Sequence, residues 1–179
     1  MPSLFKNTKT DSPTLQYLSS YPEQIHRQVQ HMIEQKTLAQ YLLKKYPTTH
    51  IFTNDKALRG YVLALKNQYL KKSAPLSQIK YDDKIHIINN ALGLHTSVSR
   101  VQGNKLKSKH EIRIGGLFKK APEDFLAMIV VHELAHLKEK DHNKAFYKLC
   151  QNMLPQYHQL ELDLRIYLTQ LAVMGDIYS

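Results

Sequence analysis

From Phe125 to Leu137 every position is apolar except three, and those three are His132, Glu133 and His136. The run reads as a helix. Pro122 is acceptable in a first turn, and Glu123 and Asp124 place negative charge at the positive end of the helix dipole. Phe125, Leu126, Ile129, Val130 and Leu137 then supply an apolar face. Two histidines four residues apart stand one above the other on a helix, so both imidazoles can reach a single zinc ion at about 2.0–2.1 Å. Glu133 lies about 100° further round, near enough to handle a proton on water without ligating the ion. The plain alternative is a chance match, because a five-residue pattern is short and the chain has ten histidines.

A catalytic zinc site needs a third protein ligand. His142 is the nearest histidine, but on a continuous helix it would point about 120° away from the other two. The helix is therefore expected to stop between Leu137 and Asp141, where Lys138-Glu139-Lys140-Asp141 is wholly polar. Asp141 is then expected as the N-cap of a following helix, with His142 at its first position and returned toward the metal. Glu139 and Glu161 are the rival third ligands.

The rest of the chain divides by periodicity. Residues 1–20 are polar and rich in Ser and Thr, and read as an arm; 21–179 read as a single domain whose metal-site core spans 84–172. A helix is expected from Tyr21-Pro22-Glu23 to about Tyr46, ended by Pro47, and a second from Asp55 to Lys72, capped by Asn54. After the Ser73–Pro75 loop the pattern changes to period two. Strands are expected at 84–88, at 94–101 and at 106–114, with Gly103-Asn104 offering a turn. Beyond His142, Phe146, Leu149, Cys150, Met153 and Leu154 mark one helix, and Leu160, Leu164, Tyr167, Leu168 and Leu171 mark a last one. The fold class is α+β: a small sheet containing an antiparallel pair, a metal-site helix and packing helices.

No apolar stretch approaches 18 residues, so no membrane span is expected. The N-terminus lacks the order of a secretory signal, and one cysteine, Cys150, excludes an internal disulfide. Both favour the cytoplasm. A formal net charge of +10 favours acidic partners.

The ordered combination of Ala121-Pro122-Glu123, Val130-Val131-His132-Glu133-Leu134-Ala135-His136-Leu137, Asp141-His142-Asn143-Lys144-Ala145-Phe146 and Leu154-Pro155-Gln156-Tyr157 resembles the YgjP-like metallopeptidase family. The resemblance is dense over 121–157 and thinner over 85–170. It implies a minimal zincin-like core of the kind shared with SprT-like and WLM metalloproteases. It also implies His132, His136 and His142 as zinc ligands, with Glu133 as the catalytic carboxylate. The expected activity is zinc-dependent hydrolysis of a peptide or protein substrate. A metal-dependent nucleotide pyrophosphatase is the first alternative, since activities assigned in the family extend to one. A zinc-stabilised nucleic-acid- or protein-binding module is the second; Glu133 argues against it, because a closed structural site has no use for that carboxylate.

Other polar residues have two readings. Tyr157 or His158 could assist an oxyanion or simply pack, and His95 and His110 on the strands are equally ambiguous. If 106–114 is one strand, Lys105, Lys107, Lys109, Glu111 and Arg113 share a face. That face could collect nucleic acid, or it could be a solvated edge protected by lysines.

Overall fold

The computed structural model describes residues 13–85, 93–102 and 105–178, with side chains described over 15–85 and 110–178. Among the described residues the main elements are α1 (Glu23–Glu34), α2 (Leu38–Lys45), α3 (Asp55–Tyr69), β1 (Leu76–Asp82), β2 (Gly93–Gln102), β3 (Lys105–Gly115), α4 (Glu123–Ala135), α5 (Lys144–Met153) and α6 (Tyr157–Met174). The sheet has the order β1-β3-β2, with β1 parallel and β2 antiparallel to the central β3. This is the α+β, minimal zincin-like arrangement that the sequence leads one to expect.

The helix expected over 21–46 is two helices. Thr37 N–H donates to Met32 O at 2.9 Å and Lys36 N–H to Ile33 O at 3.0 Å, which closes the end of α1 in a Schellman motif. Lys36 occupies the left-handed position that usually falls to glycine, with φ 56°. The second expected helix is found at its start, where Asn54 Oδ1 accepts from Ala57 N–H at 3.0 Å, and ends at Tyr69 rather than Lys72.

In the sheet, β2 and β3 fall where alternation puts them, within a residue at each end. Of the strand expected over 84–88, only the first two residues are described. Lys84 lies in a turn and Ile85 outside any strand, while 86–88 and the turn at 103–104 lie outside the described residues. The strand that pairs in parallel with β3 is β1, which starts at Leu76. On β3, Ile112 and Ile114 are fully buried, whereas Glu111 and Arg113 are half-buried on the opposite face. Arg113 is held at 3.4 Å from Asp82 and 3.6 Å from Glu111, so that end of the expected cationic face is compensated by carboxylates. The side chains of Lys105, Lys107, Lys109 and His95 lie outside the described ones.

α4 runs through the centre. Phe125, Leu126, Met128, Ile129, Val130, Val131, Leu134 and Ala135 are all buried, so the helix is apolar around its circumference rather than along one stripe. Phe125 packs between Tyr46, the C-cap of α2, and Tyr167 of α6, at ring separations of 4.6 and 5.5 Å. The approach to α4 is tied down by His50, whose Nε2–H donates to Phe118 O while its Nδ1 accepts from Phe52 N–H. Burial lowers the pKa of His50, which favours the neutral ring these two bonds require. At the start of the described chain, Leu15 and Leu18 of the turn Pro13–Leu18 enter the same core, against α6.

The fully buried Asp163 of α6 accepts from Tyr46 Oη, Lys45 Nζ and Gln159 Nε2, which locks α2 to α6 behind the central helix. Removing that carboxylate strands the buried Tyr46 hydroxyl, whereas Lys45 is exposed enough to find water. Asp163→Ala is therefore expected to cost about 2–3 kcal/mol of unfolding free energy. Urea denaturation checks this; a loss within experimental error of zero would mean that the network contributes nothing net.

Candidate metal centre

Three histidines converge where α4 ends. α4 stops at Ala135, about a turn sooner than the polar segment suggests, and His136 is its C-cap. The chain then reverses through Leu137 and Lys138, whose N–H groups donate back to Leu134 O and Ala135 O at 3.1 and 3.0 Å. The following helix begins later than the sequence suggests. Its N-cap is Asn143, whose Oδ1 accepts from Phe146 N–H at 2.9 Å, and not Asp141. His142 thus lies in the connection, before the cap, and the reversal carries its ring back over α4.

His142 Nε2 is 3.2 Å from His132 Nε2 and 3.1 Å from His136 Nε2. Three ligands of a tetrahedral zinc at about 2.0–2.1 Å stand roughly 3.3–3.4 Å apart, so this spacing fits such an ion. The protonation pattern fits as well. His136 Nδ1 is 2.9 Å from the carbonyl oxygen of Glu139, which can only accept; the ring proton is therefore on Nδ1 and the lone pair of Nε2 faces inward. Burial, with His136, His142 and Arg165 nearby, lowers the pKa of His132 to about 3, and burial lowers that of His136 too. Neutral imidazoles are the form that binds metal.

Phe146 supports all three rings. Its centroid is 5.0, 4.7 and 4.8 Å from those of His132, His136 and His142. Sequence periodicity marks Phe146 only as a core position of α5, and nothing in the pattern assigns it this place. Glu133 is buried, 3% exposed, on the turn of α4 between the two histidines.

The rival ligands stand elsewhere. Among the described residues, His132, His136 and His142 are the one group of three or more potential ligands close enough to share an ion. Glu161 pairs with Arg165 at 3.6 Å, and Glu139 offers His136 its backbone carbonyl. Tyr157 is fully buried with its hydroxyl 2.7 Å from His132 Nδ1, on the outer side of that ring, so it does not face a substrate as an oxyanion donor must. His158 is exposed and lies against Tyr147 at 5.3 Å. His110 is half-buried on β3 and is not one of the three. No helix among the described residues is long and apolar enough to cross a membrane.

Residues 16–167 match the family described as YgjP-like, metallopeptidase domain. The chain is also 59% identical over 159 residues to the UTP pyrophosphatase of Escherichia coli (strain K12), spanning 89% of this chain and 95% of that protein. No solved structure matches it. The family match runs from the turn beneath α6, through the sheet and the histidine cluster, into α6 itself, and so takes in the whole framework that positions the site. The chain belongs to the YgjP-like metallopeptidase-domain family.

Proposed function

We propose that this protein is a zinc-dependent nucleoside triphosphate pyrophosphatase that splits UTP and water into UMP and pyrophosphate. In this reading His132, His136 and His142 hold the zinc and Glu133 is the general base. The observation that carries it is the 59% identity to a UTP pyrophosphatase over 95% of that protein's length. A formal charge of +10 suits a polyanionic substrate. We place the activity in the cytoplasm, where nucleoside triphosphates occur.

Zinc would supply Lewis acidity and bring the pKa of a water down to about 7. Glu133 takes the proton of the attacking water as that oxygen bonds to the α-phosphorus. The bond from the α-phosphorus to the bridging oxygen breaks, its electron pair leaves with pyrophosphate, and Glu133 returns the proton to the leaving group. His136, with its proton held on Nδ1 by the Glu139 carbonyl, keeps Nε2 directed inward throughout.

Peptide-bond hydrolysis is the second reading, favoured by the family's description and by a helix-borne carboxylate between two of three clustered histidines. The same residues serve it, with an amide nitrogen as leaving group. Incubating the zinc-loaded protein with UTP, other nucleoside triphosphates and a peptide library separates the two. UMP and pyrophosphate should appear in equal amounts, seen by phosphorus NMR, and UTP should be the preferred substrate. Peptide cleavage without nucleotide turnover would overturn the first reading in favour of the second.

A further inference from the structure

The outer nitrogen of His132 meets a side chain, not the solvent. Its Nδ1 lies 2.7 Å from the hydroxyl of Tyr157, the first residue of α6. The two rings are nearly parallel, with 17° between their planes. Tyr157 is fully buried, and Cys150, itself fully buried on α5, lies beside it. Three consecutive elements thus meet behind the histidine cluster.

The direction of the bond between His132 and Tyr157 follows from the inventory of protons. For Nε2 to present a lone pair inward, the proton of His132 must sit on Nδ1, which then donates to the Tyr157 oxygen. The hydroxyl accepts that bond and keeps its own proton. The usual partner of a metal-ligating histidine is a carboxylate, a carbonyl or water. A tyrosine hydroxyl, neutral near pH 7, orients the ring equally well but places no negative charge behind it.

We propose that Tyr157 is the positioning residue that fixes the Nδ1–H form of His132 and so aims its Nε2 at the metal. This rests on the reading of the three histidines as ligands. Tyr157 acts only through His132 and touches neither substrate nor metal. The neutral partner leaves the positive charge of the site undiminished, which suits an anionic substrate.

The test measures metal binding, not turnover. Tyr157→Phe removes one oxygen and keeps the buried ring. Its zinc affinity, from competition with a chelator, should fall about 10- to 100-fold, and the visible absorption spectrum of its cobalt(II) form should shift. Nitrogen NMR of the histidines in the zinc-loaded, unmodified chain should find His132 protonated at Nδ1 and metallated at Nε2. That measurement needs no variant to fold. An affinity for Tyr157→Phe within about twofold of the unmodified chain, or a His132 metallated through Nδ1, overturns the inference while leaving the ligand reading intact. Zinc binding that His132→Ala leaves unchanged overturns both.

Discussion

The Glu133→Gln protein, fully loaded with zinc, should hydrolyse UTP at least about 10²-fold more slowly than the unmodified chain, the usual scale for removing a general base. The substitution suits the question because the amide matches the carboxylate in shape. Glu133 is buried, so a smaller replacement would leave a cavity and confuse loss of chemistry with loss of packing. Glutamine keeps one acceptor oxygen but cannot take up a proton near neutral pH. The histidine trio does not include Glu133, so zinc content should be unchanged. Zinc content, thermal midpoint and kcat measured on one preparation would resolve the matter. A variant that keeps its metal, its midpoint and its turnover would remove Glu133 from the chemistry. One that loses metal as well as turnover would make it a ligand instead.

The second large effect concerns the ligands. His132→Ala, His136→Ala and His142→Ala should each weaken zinc binding by roughly 10²- to 10³-fold, the share of one ligand in a typical zinc-binding free energy. His142 is the informative position. It is exposed and lies in a connection instead of a helix, so its truncation should disturb the fold least. Glu139→Ala and Glu161→Ala should bind zinc as the unmodified chain does, because one residue contributes its backbone carbonyl and the other is paired with Arg165. Metal analysis after dialysis would decide. Full retention in His142→Ala, with loss in either glutamate variant, would transfer the third position to that glutamate.

How much of this was legible depends on how local the cause was. The pair on α4 follows from spacing alone, and Asn54 announces the start of α3 by its chemistry. β3 shows clean alternation, and its buried Ile112 and Ile114 fall where period two puts them. β1 does not alternate. A register irregularity between Leu76 and Gln78 leaves Leu76, Ile79 and Tyr81 as its buried positions, spaced by three and then two, and the strand disguises itself. The break after α1 was equally hidden, because Lys36 takes a conformation that sequence readers look for at glycine. At the site, Asp141 and Asn143 are both good caps, and only the hydrogen bond to Phe146 N–H chooses between them. Tyr157 and Phe146 owe their places beside the histidines to contacts between α4, α5 and α6, which no single stretch of sequence contains.

The strand order β1-β3-β2 bears on how the chain is made. The central strand is the last of the three to leave the ribosome. β2 and β3 are separated by two residues and can zip together as soon as both have emerged, at little entropic cost. β1 has no partner until then, since its pairing runs from Leu76 to His110 across all of β2. The nascent protein must therefore carry an unpaired strand, with α1 to α3 already synthesised, until residue 115 is out. The histidine cluster lies wholly beyond that point, so the site is assembled on a sheet whose last seam has only just become able to close.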